Sequence, residues 1–317
     1  MKGTGVGQVC RNPYRAEITQ SGEGQMQALN QGAPLRIDRT FEMPSIPLVL
    51  TKILQVLDDD NASAHQLEEL ILHDPSLSAR ILKMANSAFY SFRSEVKTLS
   101  HAIALLGLGL VKSLTIGVTI FDSFTKGQRQ EADLIQKLWI HSFGTGLLAG
   151  EIWTKRARVR KEIEFAFLCG LLHDLGKAVF FKKFPLHYSV LFTRKKQEGD
   201  PDISMIENES FGVDHAYIGS VLAKQWGFPA DLVGIIRQHH SALDSKSPLL
   251  TAVSLADSIA KEMKIGFDGD SRPCAEFEQL QQQLGMQPEE LVGLKTAAEA
   301  KRSEIDKFFR ISLPGRD

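Results

Sequence analysis

The chain has 317 residues, about twice the ~150 residues of a typical domain, so one large or two modest domains fit. Its 43% hydrophobic and 24% charged residues are typical of a soluble globular protein and exclude a largely disordered or fibrous chain. The 37 basic and 38 acidic residues leave a net charge of −1. The chain as a whole therefore has no electrostatic attraction to nucleic acid or to an anionic membrane.

Targeting signals and cysteine usage predict a cytoplasmic protein. No apolar core follows the basic residue near the amino terminus, so no signal peptide is predicted. The apolar stretch Ala102–Phe121 is interrupted by Lys112 and by glycines, which indicates buried helices and no membrane span. The cysteines lie far apart, without metal-ligand spacing, and are Cys10, Cys169 and Cys274. This pattern is typical of a reduced, intracellular chain.

The first part of the chain predicts a leader and then a helical module. Residues 1–42 have few apolar positions and no sustained period, so they are predicted to be a flexible leader. In the module at 43–126, apolar residues recur at helical spacing from Leu50 to Leu57. Ser63 and Asp74 are predicted to cap the next two helices, and Gly107 to form a corner between two more.

The rest of the chain predicts a second helical module at 127–265 and a helical tail at 266–317. Helices are expected at Gln130–Lys155, Glu164–Phe181, around Val190, and at Ala216–Trp226, Ala230–Gln238, Leu249–Met263, Glu276–Leu284 and Pro288–Phe309. Strand-like alternation of any length is missing. The predicted fold is therefore all-α, a bundle of two packed helical modules.

Histidines and carboxylates provide the candidate functional site. His173 and Asp174 are adjacent in an apolar segment, where burial without a partner costs several kcal/mol. Further candidates lie on other predicted helices: His141, His215, His239, His240 and Asp257. If these helices pack as a bundle, the side chains can converge on its interior, where bundles build metal sites.

A nitrogen and oxygen ligand set without thiolate suits one or two divalent ions of Fe, Mn, Ni, Co or Zn. Two ions would activate water for attack on phosphorus and hold the leaving oxygens. Each residue alone has a simpler interpretation. A single buried histidine is commonly a hydrogen-bonded core residue, and His73-Asp74 before Pro75 indicates a helix cap. His239-His240 could also be cations at a helix carboxyl terminus.

Several segments in order carry a family resemblance: Met43–Pro47, His73–Leu77, Met84–Tyr90, Ala102–Gly107 and Cys169–Lys177. Over roughly residues 43–265 the chain resembles the HDOD family, the HD-related output domains. The resemblance implies all-helical modules related to HD-domain phosphohydrolases and a role in bacterial signalling and regulation. Many members have lost the metal ligands and have no established catalytic activity.

The resemblance also assigns roles to residues of this chain. The His, His-Asp and distant Asp of HD hydrolases correspond to His141, His173-Asp174 and Asp257. The additional His and His-His pair of the HD-GYP branch correspond to His215 and His239-His240. By analogy Asp174 would bridge two ions. Lys177 matches the phosphate-facing lysine of the family, although a lysine snorkelling from an apolar helix is the alternative. Asp174 and Lys177 are thus the candidate catalytic residues.

Two departures leave the function open. Ser241–Ser245 replaces the Gly-Tyr-Pro signature of cyclic-dinucleotide hydrolases, and Lys137 stands where some relatives have a metal-binding Glu. The sequence therefore favours a regulatory module with a structural or sensory metal site, which would bind an unidentified signalling protein. The alternative is a metal-dependent phosphohydrolase acting on a nucleotide, a cyclic dinucleotide or another phosphate ligand. A third interpretation has neither metal nor partner.

The tail helix leaves a further question open. Its apolar residues either cover the bundle or contact a second subunit in a homodimer, and they are Leu291, Leu294, Ile305, Phe308 and Phe309.

Overall fold

The structure is a computed structural model that describes residues 37, 41–58, 64–87, 90, 92, 94–125, 132–197, 202–267, 269–270, 273–274 and 276–312. Within these residues the chain forms α-helices, one short 3-10 turn at Ala242–Asp244 and no strand, as expected for the predicted all-α class. In chain order the helices are α1 Leu48–Asp58, α2 Ala64–Leu72, α3 Pro75–Ala85, α4 Leu99–Leu106, α5 Leu108–Thr125, α6 Ala132–Thr154, α7 Arg160–Leu172, α8 Leu175–Lys183, α9 Pro185–Gln197, α10 Ile203–Phe211, α11 His215–Gln225, α12 Ala230–Gln238, α13 Pro248–Glu262, α14 Phe277–Gln283 and α15 Pro288–Ser312.

The amino-terminal helices follow local sequence signals. Leu50 and Ile53 of α1 are fully buried, as their spacing predicts. The Asp74 side chain accepts the backbone N–H of Leu77 at 3.0 Å and Pro75 opens α3, so the predicted cap is present. The cap predicted at Ser63 and most of the predicted leader lie outside the described residues.

A sharp corner joins α4 to α5 at Gly107. This glycine has φ +92°, in the region that other residues rarely adopt, so the predicted corner is present. The following helix, Leu108–Thr125, is the one helix of the described residues that is long and apolar enough to cross a membrane by length and composition. About two thirds of it (67%) is buried inside the protein.

The helices that carry the candidate site approach each other closely. A Cβ atom added to Gly170 of α7 would lie 2.7 Å from the Cα atom of Gly146 in α6. The two helices therefore touch backbone to backbone, which a larger residue at either position would prevent. Residues after α13 return to α6, where the N–H of Phe267 donates to the carbonyl of Lys137 at 3.0 Å.

One helix prediction was wrong and one helix was missed. The single helix expected at Glu164–Phe181 is divided into α7 and α8 by His173 and Asp174, because Asp174 leaves the helical conformation at φ −96°, ψ 17°. The break turns α8 against the start of α11. Helix α10 was not predicted, although Asp202 caps it and Gly212, at φ +77°, ends it.

One hydrophobic cluster extends from Leu50 in α1 to Leu294 in α15. The amino-terminal helices and the helices of the candidate site thus share a continuous core. The module boundaries expected from the sequence remain predictions, and Leu294 packs with this core from the tail helix.

Candidate metal centre

Seven side chains from five parts of the fold meet in the interior. His141 lies on α6, His173 and Asp174 join α7 to α8, and Asp257 lies on α13. His215 opens α11, while His239 and His240 follow α12. Of the seven residues only His240 is half-buried, and each of the others is at most 6% exposed. Folding thus removes six of the seven residues from bulk water.

The first part of the centre, here called the carboxylate group, contains His141, His173, Asp257 and Asp174. The Nε2 atom of His141 lies 2.9 Å from Oδ1 of Asp257 and 3.9 Å from Oδ2 of Asp174. The Nε2 atom of His173 lies 3.3 Å from Oδ2 of Asp174 and 3.6 Å from Oδ1 of Asp257. Metal–nitrogen bonds of ~2.1 Å place neighbouring ligand atoms ~3 Å apart, so these separations suit a shared ion.

The second part, here called the triple-histidine group, contains His215, His239 and His240. The Nε2 atom of His215 lies 2.8 Å from Nε2 of His240 and 3.3 Å from Nε2 of His239. Three ring nitrogens directed at one point are a common transition-metal ligand set. The family resemblance had already grouped these three residues, and the fold brings their donor atoms together.

Asp174 lies between the two groups. Its Oδ2 atom faces His173 of the carboxylate group, whereas Oδ1 lies 3.3 Å from Nε2 of His215 and 3.6 Å from Nε2 of His239. Among the described residues, Oδ1 of Asp174 and Nε2 of His173 are buried without a hydrogen-bond partner. Unpaired polar atoms of this kind are rare in protein interiors, and a bound cation would satisfy both.

Buried partners orient the ligands from outside the centre. Nδ1 of His173 and of His239 faces a backbone carbonyl, that of Gly170 at 2.7 Å and that of Ile236 at 2.8 Å. These contacts leave the Nε2 atoms for a metal ion. Nδ1 of His215 faces a side chain instead, the buried carboxylate of Glu207 at 2.6 Å.

Two lysines neutralise the carboxylates of the centre. Lys177, 1% exposed, donates to Oδ2 of Asp174 at 2.8 Å, and Lys261 donates to Oδ2 of Asp257 at 2.8 Å. Lys177 follows Asp174 by one helical turn, and Lys261 follows Asp257 in the same way. The sequence analysis named Lys177 but missed Lys261 and Glu207. The spacing of Lys261, four residues after a candidate ligand on a helix, was the signal that could have found it.

Electrostatic coupling separates the histidines into charged and neutral members. Burial opposes the charged form of His173, but Asp174 and Asp257 raise its pKa to about 10. Burial likewise opposes the charge of His215, and Glu207 raises its pKa to about 9. Burial lowers the pKa of His239 to about 4. The metal-free centre at neutral pH therefore holds imidazolium beside carboxylate, in the places where metal charge would otherwise lie.

Metal binding should consequently release protons. Metal ligation needs neutral imidazole, whereas His173 and His215 are protonated near pH 7 in the metal-free protein. We expect apparent metal affinity to rise from pH 7 to about pH 10, and about two protons to be released per loaded chain at pH 7.5. Calorimetric titration in buffers of different ionisation enthalpy measures this number, and heats independent of the buffer would contradict it.

A cavity of about 410 Å³ opens beside the centre. Its walls include ligands of both groups, namely His239, His240 and Asp257. Lys261, Ser254, Ser258 and Cys274 also line it. Carboxylates of Asp202, Asp270 and Glu276 also line it. The cavity has the size of a small-molecule site and reaches the clustered donors directly.

The fold and these donor atoms place the protein in the class of all-helical proteins with a cluster of potential metal ligands inside a helix bundle. The HDOD domain model matches residues 43–242, and the chain therefore belongs to the HDOD family. The resemblance seen in the sequence is thus confirmed.

Curated relatives match part of the chain. An uncharacterized protein of Treponema pallidum is 27% identical over 225 residues, 69% of this chain and 42% of the relative. Ribonuclease Y of Desulfotalea psychrophila is 29% identical over 182 residues, 57% of this chain and 26% of the enzyme. The chain thus spans less than half the length of these relatives.

Solved structures share the fold. A protein of Shewanella amazonensis SB2B, named as an inferred phosphohydrolase, has a TM-score of 0.68 at 23% identity, covering 91% of this chain and 98% of that one. A protein of Marinobacter aquaeolei VT8, named as an inferred signal transduction protein, has a TM-score of 0.70 at 22% identity, covering 92% and 65%. Identities this low establish the common fold alone.

Proposed function

We propose that this chain is an HDOD regulatory protein of bacterial signal transduction whose bundle holds two divalent metal ions. The position of Asp174 is the observation that carries the proposal. One of its carboxylate oxygens faces the carboxylate group and the other faces the triple-histidine group. A carboxylate so placed can bridge two ions, each completed by three further protein ligands.

The segment after the ligands supports regulation over catalysis. His239 and His240 are followed by the turn Ala242–Asp244, in place of the Gly-Tyr-Pro signature. In this role the ions would fix the packing of α6, α8, α11, α12 and α13, and occupancy would stabilise one arrangement of the bundle for a partner protein. Ions bound only to the folded state at 100 times their Kd would add ~2.7 kcal/mol of stability for each site.

The cavity favours a second function, a metal-dependent phosphohydrolase. It meets ligands of both groups, and its wall includes Lys261, a cation paired with Asp257 beside the centre. Bound metal ions would supply Lewis-acid activation of water and of a phosphoryl oxygen. The residues of this chain would position a phosphorylated small molecule in the cavity, where Lys261 lies in the wall and could donate to a phosphate oxygen. Lys177 is 1% exposed and paired with Asp174, so its part would be to hold that carboxylate.

Metal analysis combined with a substrate screen separates the two functions. The full chain is freed of metal with a chelator, reloaded with Mn²⁺, Fe²⁺, Ni²⁺ or Zn²⁺, and analysed for bound ions, with about two per chain expected. It is then tested on nucleotides, cyclic dinucleotides and synthetic phosphomonoesters and phosphodiesters. Full occupancy without turnover supports the regulatory role. Turnover that His173→Ala abolishes supports the phosphohydrolase, and thermal stability indifferent to chelation contradicts both.

A further inference from the structure

Helix α10 carries a carboxylate that is completely enclosed by the fold. Glu207 is 0% exposed. Its Oε1 atom accepts the hydroxyl of Tyr188 at 2.5 Å, and its Oε2 atom accepts the backbone N–H of His215 at 2.8 Å and faces Nδ1 of the same residue at 2.6 Å. Both oxygens are therefore occupied, and the carboxylate is held in one orientation.

This arrangement determines which nitrogen of His215 faces the centre. A carboxylate only accepts hydrogen bonds, so Nδ1 of His215 must carry a proton. Nε2 is then the atom left for a metal ion, and it points to Oδ1 of Asp174 and to His239 and His240. His173 and His239 are oriented by neutral carbonyls, whereas His215 is backed by a full negative charge.

Charge is distributed unevenly between the two parts of the centre. Asp174 and Asp257 are each paired with a lysine at 2.8 Å, which offsets the negative charge they offer to cations. The triple-histidine group has no carboxylate of its own and shares Asp174. Within the described part of the chain, the hydrogen-bond partners of Glu207 are a phenol and a histidine, with no lysine or arginine. Its charge thus acts on the triple-histidine group through His215.

We propose that Glu207, held by Tyr188, is the positioning residue of the triple-histidine group and sets the affinity of that group for its ion. The inference rests on the proposed two-ion function. It distinguishes the two ions by whether their affinity depends on Glu207, a residue that contacts neither of them. Loss of the Glu207 charge should weaken the ion at His215, His239 and His240, while the ion at the carboxylate group stays bound.

The closing experiment compares Glu207→Gln and Glu207→Ala with wild type and with Glu209→Gln. Glu209 lies on the same helix and is exposed, so it is a matched control. Each chelated full-length protein is titrated with Mn²⁺ and with Zn²⁺ by calorimetry, and the bound ions are counted after desalting. Both Glu207 variants should lose 10- to 100-fold in the affinity of one ion, with stoichiometry falling from about two to about one.

Spectroscopy of the zinc-loaded protein gives a readout that a nonspecific loss of folding would not reproduce. Long-range ¹⁵N–¹H correlation should show His215 of wild type with zinc on Nε2 and a slowly exchanging proton on Nδ1. In Glu207→Gln that proton should exchange faster, with an unchanged circular dichroism spectrum. Tyr188→Phe keeps the carboxylate and should give an intermediate affinity.

The outcomes distinguish the two proposals. Wild type without bound metal would contradict the proposed function itself. Wild type with two ions, together with Glu207 variants that keep both affinities unchanged, would overturn the role of Glu207 and leave the two-ion centre intact.

Discussion

Replacing Asp174 with alanine should empty both parts of the centre together. The two oxygens of this carboxylate face different ligand groups, so its loss removes one ligand from each ion and also the negative charge that the two groups share. We expect both affinities to fall at least ~100-fold, beyond the 10- to 100-fold typical of residues that only orient ligands. Metal content after desalting, measured by mass spectrometry, should fall from about two ions per chain to nearly none.

The same substitution should destabilise the metal-free fold. Lys177 and His173 are buried beside Asp174, and both rely on its charge. Leaving buried positive charge without its partner costs ~3–5 kcal/mol in comparable ion pairs. The free energy of unfolding of the chelated protein, from urea titration, should decrease by this amount. Asp174→Asn keeps the size of the side chain and isolates the effect of the charge.

Asp257→Ala is the matched comparison for metal content, because the ligand residues that Asp257 faces, His141 and His173, both belong to the carboxylate group. It should release one ion and leave the triple-histidine group loaded. Asp133→Asn, at an exposed pair with Lys137, should change neither occupancy nor stability measurably. Retention of one ion by Asp174→Ala would show that the two groups do not share this carboxylate.

The sequence predicted those residues of the site that stand out in a local sequence pattern. Two adjacent polar residues in an apolar segment, His173 and Asp174, need buried partners, and a histidine pair after an apolar helix is equally conspicuous. Helical periodicity located most helices, because a stripe of apolar residues is visible within a few turns. Asp74 and Gly107 were predictable for the same local reason.

Contacts between distant helices were not predictable in this way. Glu207 lies in the short segment Ile203–Phe211, where it looks as solvated as its neighbours Asn208 and Glu209 until the fold encloses it alone of the three. The break between α7 and α8 was also missed, since nothing in the apolar sequence from Glu164 to Phe181 interrupts helical periodicity. Just after the break, α11 packs so closely on α8 that it leaves no space for a side chain at Gly176, and this contact between distant segments is invisible in the sequence.

Gly176→Ala should therefore unfold or loosen the protein more than its single added methyl group implies. A Cβ atom at this position would lie 1.9 Å from the carbonyl oxygen of His215 and 2.8 Å from the backbone nitrogen of Gly219. Backbone atoms cannot rotate away as side chains can, so α8 and α11 would have to separate. Overpacking costs 1–3 kcal/mol where neighbours can adjust, and we expect about 3 kcal/mol or more here.

Gly234→Ala supplies the opposite case within the same fold. Gly234 lies inside α12, and an added Cβ atom meets nothing within 4 Å. Alanine is preferred over glycine inside a helix, so this variant should gain ~0.5–1 kcal/mol. Urea unfolding of the chelated proteins measures both changes free of any metal contribution. A loss below ~1 kcal/mol for Gly176→Ala would contradict the close helix contact.

The metal content of the same two variants links packing to the centre. Separation of α8 from α11 moves Asp174, at the start of one helix, away from His215, at the start of the other. Gly176→Ala should therefore weaken the triple-histidine ion even in the fraction that stays folded, whereas Gly234→Ala should keep two ions. The two glycine-to-alanine exchanges should thus change stability in opposite directions, and metal should be lost only from Gly176→Ala, where the helices are forced apart. That result would show that the spacing of α8 and α11 is the physical link between the fold and the site.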